Sequence, residues 1–158
     1  MRFFISSELK RNDFLKIIIL FTTLFFIFLW VTNILLYMQI GFNYEGIVGY
    51  YLGNEETFRP PKSYIGLLEE AHFHFFSMAI LLVTLTHLIL FTSISNGWKL
   101  TLILGSFTSS FLEIISSWLI RYVSAQFAYL KLGSFIVMQL SLMAMMVIIF
   151  IYLFRKDN

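Results

Sequence analysis

The sequence predicts an all-α integral membrane protein, a four-helix bundle in which each helix crosses the bilayer. Of the 158 residues, 59% are hydrophobic and only 13% are charged, whereas soluble domains carry about 25% charged residues. Four apolar runs are each close to the roughly 20 residues that a helix needs to cross the hydrocarbon. The runs lack the period-two alternation of membrane β-strands, which favours helices over a barrel.

The spans and their loops form a single transmembrane domain over residues 1–158. The predicted spans cover, in order, residues 17–38, 67–91, 100–120 and 135–154. A long polar outer loop over residues 39–66 joins the first two. Pro61 cannot continue a helix and Ser63 is a favoured N-cap, so the second helix is expected to begin just after them.

The distribution of Lys and Arg predicts an N-in/C-in topology, because cytoplasmic loops carry an excess of these residues. Seven lie on the side of the termini: Arg2, Lys10, Arg11, Lys16, Lys99, Arg155 and Lys156. Four lie on the other side: Arg59, Lys62, Arg121 and Lys131. The expected location is a bacterial inner membrane with the long loop in the periplasm, and the alternative is an organellar inner membrane.

Composition also excludes several function classes. The chain has no Cys, which rules out thiol chemistry, iron–sulfur clusters and covalently attached c-type haem. A net charge of +2 without a basic face gives no reason to expect a nucleic-acid partner. Three His are present, so non-covalent haem or a metal ion held by His and carboxylate stays open.

Polar side chains are predicted to share one layer in the outer half of the bilayer. At a rise of 1.5 Å per residue, the polar residues of this layer lie roughly 6–12 Å below the outer ends of their helices. The layer comprises Asn33, His72, His74, Glu113, Ser117 and Gln139. Such groups normally face the bundle interior and find partners there. Glu113 most needs a partner, and a His of the second helix is the expected one. The layer serves either helix packing alone or a ligand, metal or cofactor.

Haem b is the first cofactor hypothesis. His72 and His87 are fifteen residues apart, roughly 22 Å along one helix, a spacing analogous to that in cytochrome-b-like bundles. One haem on the outer side, bound by His72 or His74, is the more economical version. A second axial ligand would come from Met138, a neighbouring subunit or a symmetric dimer.

A metal site is the second hypothesis. Glu69 and His72 have the i, i+3 spacing found in di-iron helix bundles, and Glu113 would add a ligand from the third helix. A mononuclear site of His72, His74 and Glu113 requires a distorted helix start, because residues two apart diverge on a regular helix. Acidic residues in a first helical turn also suit the helix dipole, which gives Glu69 and Glu70 a purely structural alternative.

The third hypothesis is non-catalytic: an accessory or anchoring subunit. The 19 Phe leave much apolar surface for the lipid bilayer, for other membrane subunits or for a homo-oligomer. The tyrosines of the outer loop are expected mainly in the aromatic belt at the membrane interface, with partner docking as the alternative. The Met group of the last helix is expected to be adaptable packing.

The stretch from Gly41 to Thr92 resembles a group of small four-helix bacterial membrane proteins without an assigned function. The resemblance lies in the Pro-Lys-Ser loop, the His-x-His that opens a helix and the later Thr-His. It covers about a third of the chain. Such proteins accompany cytochromes in respiratory settings, so the resemblance implies His72, His74 and His87 as candidate functional residues.

The sequence thus predicts an accessory integral-membrane subunit of an electron-transfer or respiratory complex, with haem b at an outer-leaflet His site. One alternative is a structural membrane subunit whose polar layer only packs helices. Another is a His/Glu metal or proton site centred on Glu113. Whether the chain is an enzyme stays open at this point.

Overall fold

The computed structural model describes residues 12–155, which form five helices. They are α1 (Asp13–Ile40), α2 (Tyr44–Leu52), α3 (Tyr64–Leu90), α4 (Asn96–Tyr122) and α5 (Phe127–Phe154). All but α2 are long and apolar enough to cross a membrane. The prediction of an all-α membrane bundle with four spanning helices is therefore confirmed. Four residues of the orientation argument lie outside the described residues: Arg2, Lys10, Arg11 and Lys156.

Side-chain caps define where three of the helices begin. Asn12 accepts hydrogen bonds from the amides of α1, and Asn43 accepts one from Gly46 at 2.7 Å at the start of α2. Ser63 accepts one from Gly66 at 3.0 Å, so the predicted cap of α3 is confirmed. Each cap satisfies an amide that has no partner within its helix.

Helix α2 lies inside the segment that was expected to be a polar loop. Its sequence contains two glycines, which lower helix propensity, so periodicity gave no signal for it. Packing holds it instead, because Ile47 and Tyr51 are buried. A Cβ on Gly46 would lie 2.5 Å from the carbonyl oxygen of Ile40. Only glycine allows the start of α2 to lie this close to the end of α1.

All four spanning helices begin earlier than predicted, and the differences in α5 and α3 affect the site. Helix α5 begins at Phe127, eight residues before the predicted boundary, so Lys131 lies within it. The fourth span was predicted to begin only where the apolar run starts at Phe135, so Lys131 was counted among the charges of the outer side. Helix α3 begins at Tyr64, so Glu69 and Glu70 lie beyond its first turn. Their structural explanation by the helix dipole was therefore wrong, because that interaction falls off after the first turn.

Helices α4 and α5 form the most closely packed pair, and small residues allow it. Helix α4 buries a stripe of serines: Ser106, Ser109, Ser110, Ser116 and Ser117. Small side chains let two membrane helices approach closely. In contrast, only 11% of the most apolar stretch of α1 is buried, against 44% for α4. Helix α1 therefore presents most of its surface outward.

Candidate functional site

A buried ion pair joins α4 and α5 near the end of the bundle that carries α2 and residues 53–63, called the loop end below. Lys131 Nζ lies 2.6 Å from Glu113 Oε1, and the two side chains are 2% and 7% exposed. Lys131 also donates to the carbonyl oxygen of Glu113 at 3.1 Å and to Ser117 Oγ at 2.9 Å. A lysine ammonium has three protons to donate, so each has an acceptor here.

The length of the lysine side chain makes this pair possible. Lys131 is four residues from the start of α5 and Glu113 is nine residues from the end of α4. At 1.5 Å per residue, their backbones differ in level by roughly 7 Å. Since Lys131 lies nearer the loop end, its four-carbon stem spans this difference and brings the ammonium to the carboxylate.

Tyr37 connects α1 to the same carboxylate. Its hydroxyl donates to Glu113 Oε1 at 2.7 Å. Its ring stacks on Phe135 of α5 with centroids 3.5 Å apart and planes 19° apart. The stacking fixes the ring, so the hydroxyl is held at the carboxylate without a flexible side chain having to be ordered.

A second branch runs from the ion pair to α2 and α3. Ser117 Oγ donates to the hydroxyl of Tyr51 at 3.2 Å, and that hydroxyl donates to Glu70 Oε1 at 2.6 Å. Burial raises the pKa of Tyr51 well above its usual value, and the charge of Glu70 is the next largest cause. The hydroxyl therefore stays protonated and serves as a donor to Glu70.

Lys62 ends this branch at the loop end. Its Nζ forms an ion pair with Glu70 Oε2 at 3.2 Å, without the alignment of a hydrogen bond, and donates to the hydroxyl of Tyr50 at 2.8 Å. Burial lowers the pKa of Lys62, but the bond to Tyr50 and the charge of Glu70 outweigh it and raise the pKa above its usual value. Arg121 Nε donates to the Lys62 carbonyl oxygen at 3.0 Å, which ties the loop to α4.

His74 is the predicted site histidine that lies beside the network. Together with Glu70, Glu113 and Ser117 it lines a crevice too narrow to hold a water molecule. Its Nδ1 lies 2.9 Å from the carbonyl oxygen of Glu70. A carbonyl only accepts, so Nδ1 carries the hydrogen. In the neutral ring, Nε2 is then the acceptor.

The other predicted site residues lie apart from this network. Glu69, His72 and His87 are exposed on α3, and Met138 is buried in the core of α5. His72 and Met138 therefore do not face a common space within one chain, and a haem on His72 would need its second ligand from elsewhere. The haem b assignment stays a prediction.

The structure corrects the expected partner of Glu113. Its partner was expected to be a His of the second helix, but it is Lys131, because a buried carboxylate is best compensated by a full positive charge in hydrogen-bond contact. Within residues 12–155, no group of three or more His, Asp and Glu is arranged to hold a metal ion. In one chain the predicted metal set of Glu69, His72, His74 and Glu113 is divided between an exposed face and the network. Metal binding stays a prediction.

The polar layer exists, but α1 and α5 contribute different residues from those predicted, and α3 contributes Glu70 rather than His72. Tyr37 replaces Asn33, one turn away on the same helix, and Lys131 replaces Gln139. The side-chain nitrogen of Asn33 and both amide atoms of Gln139 are buried without a hydrogen-bond partner. An amide would leave the charge of Glu113 uncompensated, which explains why the lysine takes this position.

Comparison with known proteins identifies a family. Residues 41–158 match the Aq_1264_TM family, described as a transmembrane helical domain. The chain belongs to the Aq_1264_TM family. The match begins where α1 ends, so the Aq_1264_TM domain comprises α2 to α5. Searches of curated proteins and of solved structures give no match.

Several network residues of this Aq_1264_TM protein were not predicted from the sequence, among them Tyr37, Tyr51 and Lys131. Tyr51 was assigned with its neighbours to the aromatic belt, but it is 1% exposed. Lys131 carried a usable signal, since it is the one charged residue in the run of residues 130–154, and a short connection separates this run from the span that contains Glu113. A lone Lys and a lone Glu on consecutive spans are the natural partners of each other.

Proposed function

We propose that this chain is a structural membrane subunit whose buried polar network fixes the packing of its helices. The ion pair between Lys131 and Glu113 carries the proposal, because its two side chains are at most 7% exposed and every Lys131 proton is engaged. Tyr37 contacts the pair directly, and Ser117 connects the pair to Tyr51, so side chains from other helices are bonded to it.

The network supports a packing role because it links every described helix. Tyr37 belongs to α1, Tyr51 to α2, Glu70 to α3, Glu113 to α4 and Lys131 to α5. Polar contacts across membrane helices select one arrangement over others, since a displaced helix would leave a polar group in hydrocarbon. The packing of the short helix α2 depends most on the network, because Tyr51 holds this helix at the loop end.

The decisive experiment compares a single and a double substitution in the purified, detergent-solubilised chain. Lys131→Met leaves an uncompensated carboxylate, whereas Glu113→Leu with Lys131→Met replaces both charges by apolar side chains. A structural role predicts loss of amide protection in α2 and α5 for the single variant. The double variant should recover most of that protection, because replacing a whole buried pair is often neutral. Unchanged protection in the single variant would refute the packing role.

A proton-transfer role is a second candidate, supported by one observation. The ionisable groups from Glu113 through Lys131, Tyr51 and Glu70 to Lys62 are linked by polar contacts of 2.6 to 3.2 Å, with Ser117 as one link. Chains of ionisable residues mark proton relays in membrane proteins.

The two roles give opposite results in vesicles that contain a pH-sensitive dye. A proton-transfer role predicts flux across vesicles with the native chain and loss of that flux in the folded double variant. A packing role predicts the same background flux for the native chain, the double variant and empty vesicles.

We also infer the membrane and the assembly from the sequence. The excess of Lys and Arg beside the termini supports both termini in the cytoplasm of a bacterium, and it grows stronger because Lys131 is a buried helix residue rather than a loop charge. The proposal that this chain is a subunit of an electron-transfer complex rests on the resemblance of residues 41–92 to small four-helix bacterial membrane proteins. A Soret band in the purified native complex that is lost in His72→Ala or His74→Ala would support bound haem.

A further inference from the structure

One face of α3 carries ionisable side chains that no part of residues 12–155 covers. It consists of Glu69, His72, Phe76, Ala79, Val83 and His87, all exposed and called the α3 face below. At 100° per residue these positions fall within an arc of about 80°. The face therefore forms a straight stripe along the helix, with polar groups towards both ends and apolar groups between them.

The position of His72 in the membrane makes this exposure costly. Helix α3 has 27 residues and is about 40 Å long, so it extends about 5 Å beyond a hydrocarbon core of about 30 Å at each end. His72 is eight residues from the first helical residue, which places it roughly 7 Å inside the hydrocarbon. Ionisable residues at such depth almost always face protein or water rather than lipid.

The remaining spanning helices contrast with α3. Within the part of the chain that the structure describes, Glu113 and Lys131 are buried against each other, and Asp13 and Lys99 lie in the first turns of their helices. Exposed acidic or imidazole side chains away from a helix end occur only on α3. The exposure is therefore a specific property of this face and points to a protein surface that covers it.

The face is complementary to itself. A two-fold axis along the membrane normal sets two copies of α3 side by side and parallel, with one edge of the face against the opposite edge of the other copy. Glu69 lies on one edge and His72 on the other, about 60° apart and about 4.5 Å apart in height. Glu69 of each copy then meets the partner's His72, so a carboxylate faces an imidazole donor twice.

We propose that a second copy of this chain docks on the α3 face and forms a parallel two-fold dimer. Phe76 and Val83 pack at the centre of the interface, and Ala79 lets the two helices approach closely. The dimer goes beyond the proposed structural role, because the Lys131 network lies inside the bundle and contributes nothing to this face.

Disulfide trapping tests the proposal, because the chain has no cysteine of its own. Val83→Cys places a thiol at the centre of the face. Leu140→Cys on α5 is the matched control, since the two side chains are 59% and 60% exposed. Each variant is oxidised in native membranes before detergent is added. The proposal predicts a product of twice the chain mass for Val83→Cys and none for Leu140→Cys.

Three results would overturn the proposal: equal trapping of both variants, no trapping of either, or trapping of Val83→Cys to a different protein. A second measurement addresses the polar pairs. Glu69→Gln combined with His72→Phe should weaken dimerisation in lipid nanodiscs or mixed micelles roughly tenfold, from two lost contacts of typical membrane strength. A dimer of unchanged affinity would remove the Glu69–His72 contact from the argument and refute the proposed register.

Discussion

Replacing Lys131 by Met is the most informative single change in the bundle. Methionine has nearly the length of lysine and fills the same space, so packing between α4 and α5 is preserved. The ammonium that touches Glu113 Oε1, the Glu113 carbonyl oxygen and Ser117 Oγ is lost. The remaining hydroxyl of Tyr37 donates one hydrogen bond to Glu113 but brings no compensating charge.

The expected cost follows from burial. Breaking a buried ion pair by removing one partner costs about 3–5 kcal/mol, because the other charge stays buried without compensation. Lys62 provides a control inside the same network, since its side chain is 25% exposed and that of Lys131 is 2% exposed. Fully exposed ion pairs contribute about 0–1 kcal/mol, and the partly buried Lys62–Glu70 pair lies between this value and that of the fully buried pair. Lys62→Met should therefore cost several times less than Lys131→Met.

Reversible unfolding in mixed micelles, followed by circular dichroism during an SDS titration, measures both free energies under one condition. The two lysine variants are compared by the difference between their free energies of unfolding. Effects of the detergent that are common to both variants cancel in this difference. Equal costs for Lys62→Met and Lys131→Met would refute the reasoning, since burial would then not decide the strength of the pair. A cost below about 1 kcal/mol for Lys131→Met would do the same.

Three further predictions test other parts of the structure. Tyr51→Phe removes a hydroxyl bonded to Ser117 and Glu70, and should cost about 1–3 kcal/mol in the same titration, with faster amide exchange in α2. Gly46→Ala should cost about 1–3 kcal/mol through the clash described above, whereas Gly133→Ala, with nothing within 4 Å of the added methyl group, should be neutral or stabilising by up to about 1 kcal/mol. Because the pKa of Lys62 is raised in the folded chain, its stabilising contribution is complete below the ordinary lysine pKa and is lost as the pH rises through the folded value. Native protein should therefore lose stability at strongly alkaline pH relative to Lys62→Met, and parallel pH profiles for the two would contradict this.

The fold was predictable because hydrophobic length alone identifies a membrane helix. Spans of about 20 apolar residues leave few alternatives to a helix in hydrocarbon, and four such runs gave four spanning helices. Helix α2 was not predictable by the same argument. Its nine residues are too short for a span and contain Gly46 and Gly49, so its stability depends on contacts with α4, α5 and α1 that periodicity does not report.

The existence of a polar site among the helices was predictable, but only some of its residues were. Glu113 was identified because a carboxylate in an apolar run requires compensation. Its partner was missed because the depth argument compared backbone positions and ignored side-chain length. Lysine and tyrosine place their polar atoms several ångströms from the backbone, so Lys131 and Tyr37 meet Glu113 from other levels. Side-chain reach, rather than residue position, decided the composition of the network.

The weakly packed helix α1 shows how the network and the membrane surface work together. It lies outside the matched family domain, and only 11% of its most apolar stretch is buried. Apolar contact with α5 stabilises α1 little more than contact with lipid does, because hydrocarbon tails are as apolar as the side chains of α1. Its position therefore depends on two directional contacts: Tyr37 with Glu113, and the indole of Trp30, which donates to the Gln139 carbonyl oxygen at 3.0 Å. Polar groups in few places can orient a helix that hydrophobic packing alone would leave free to rotate.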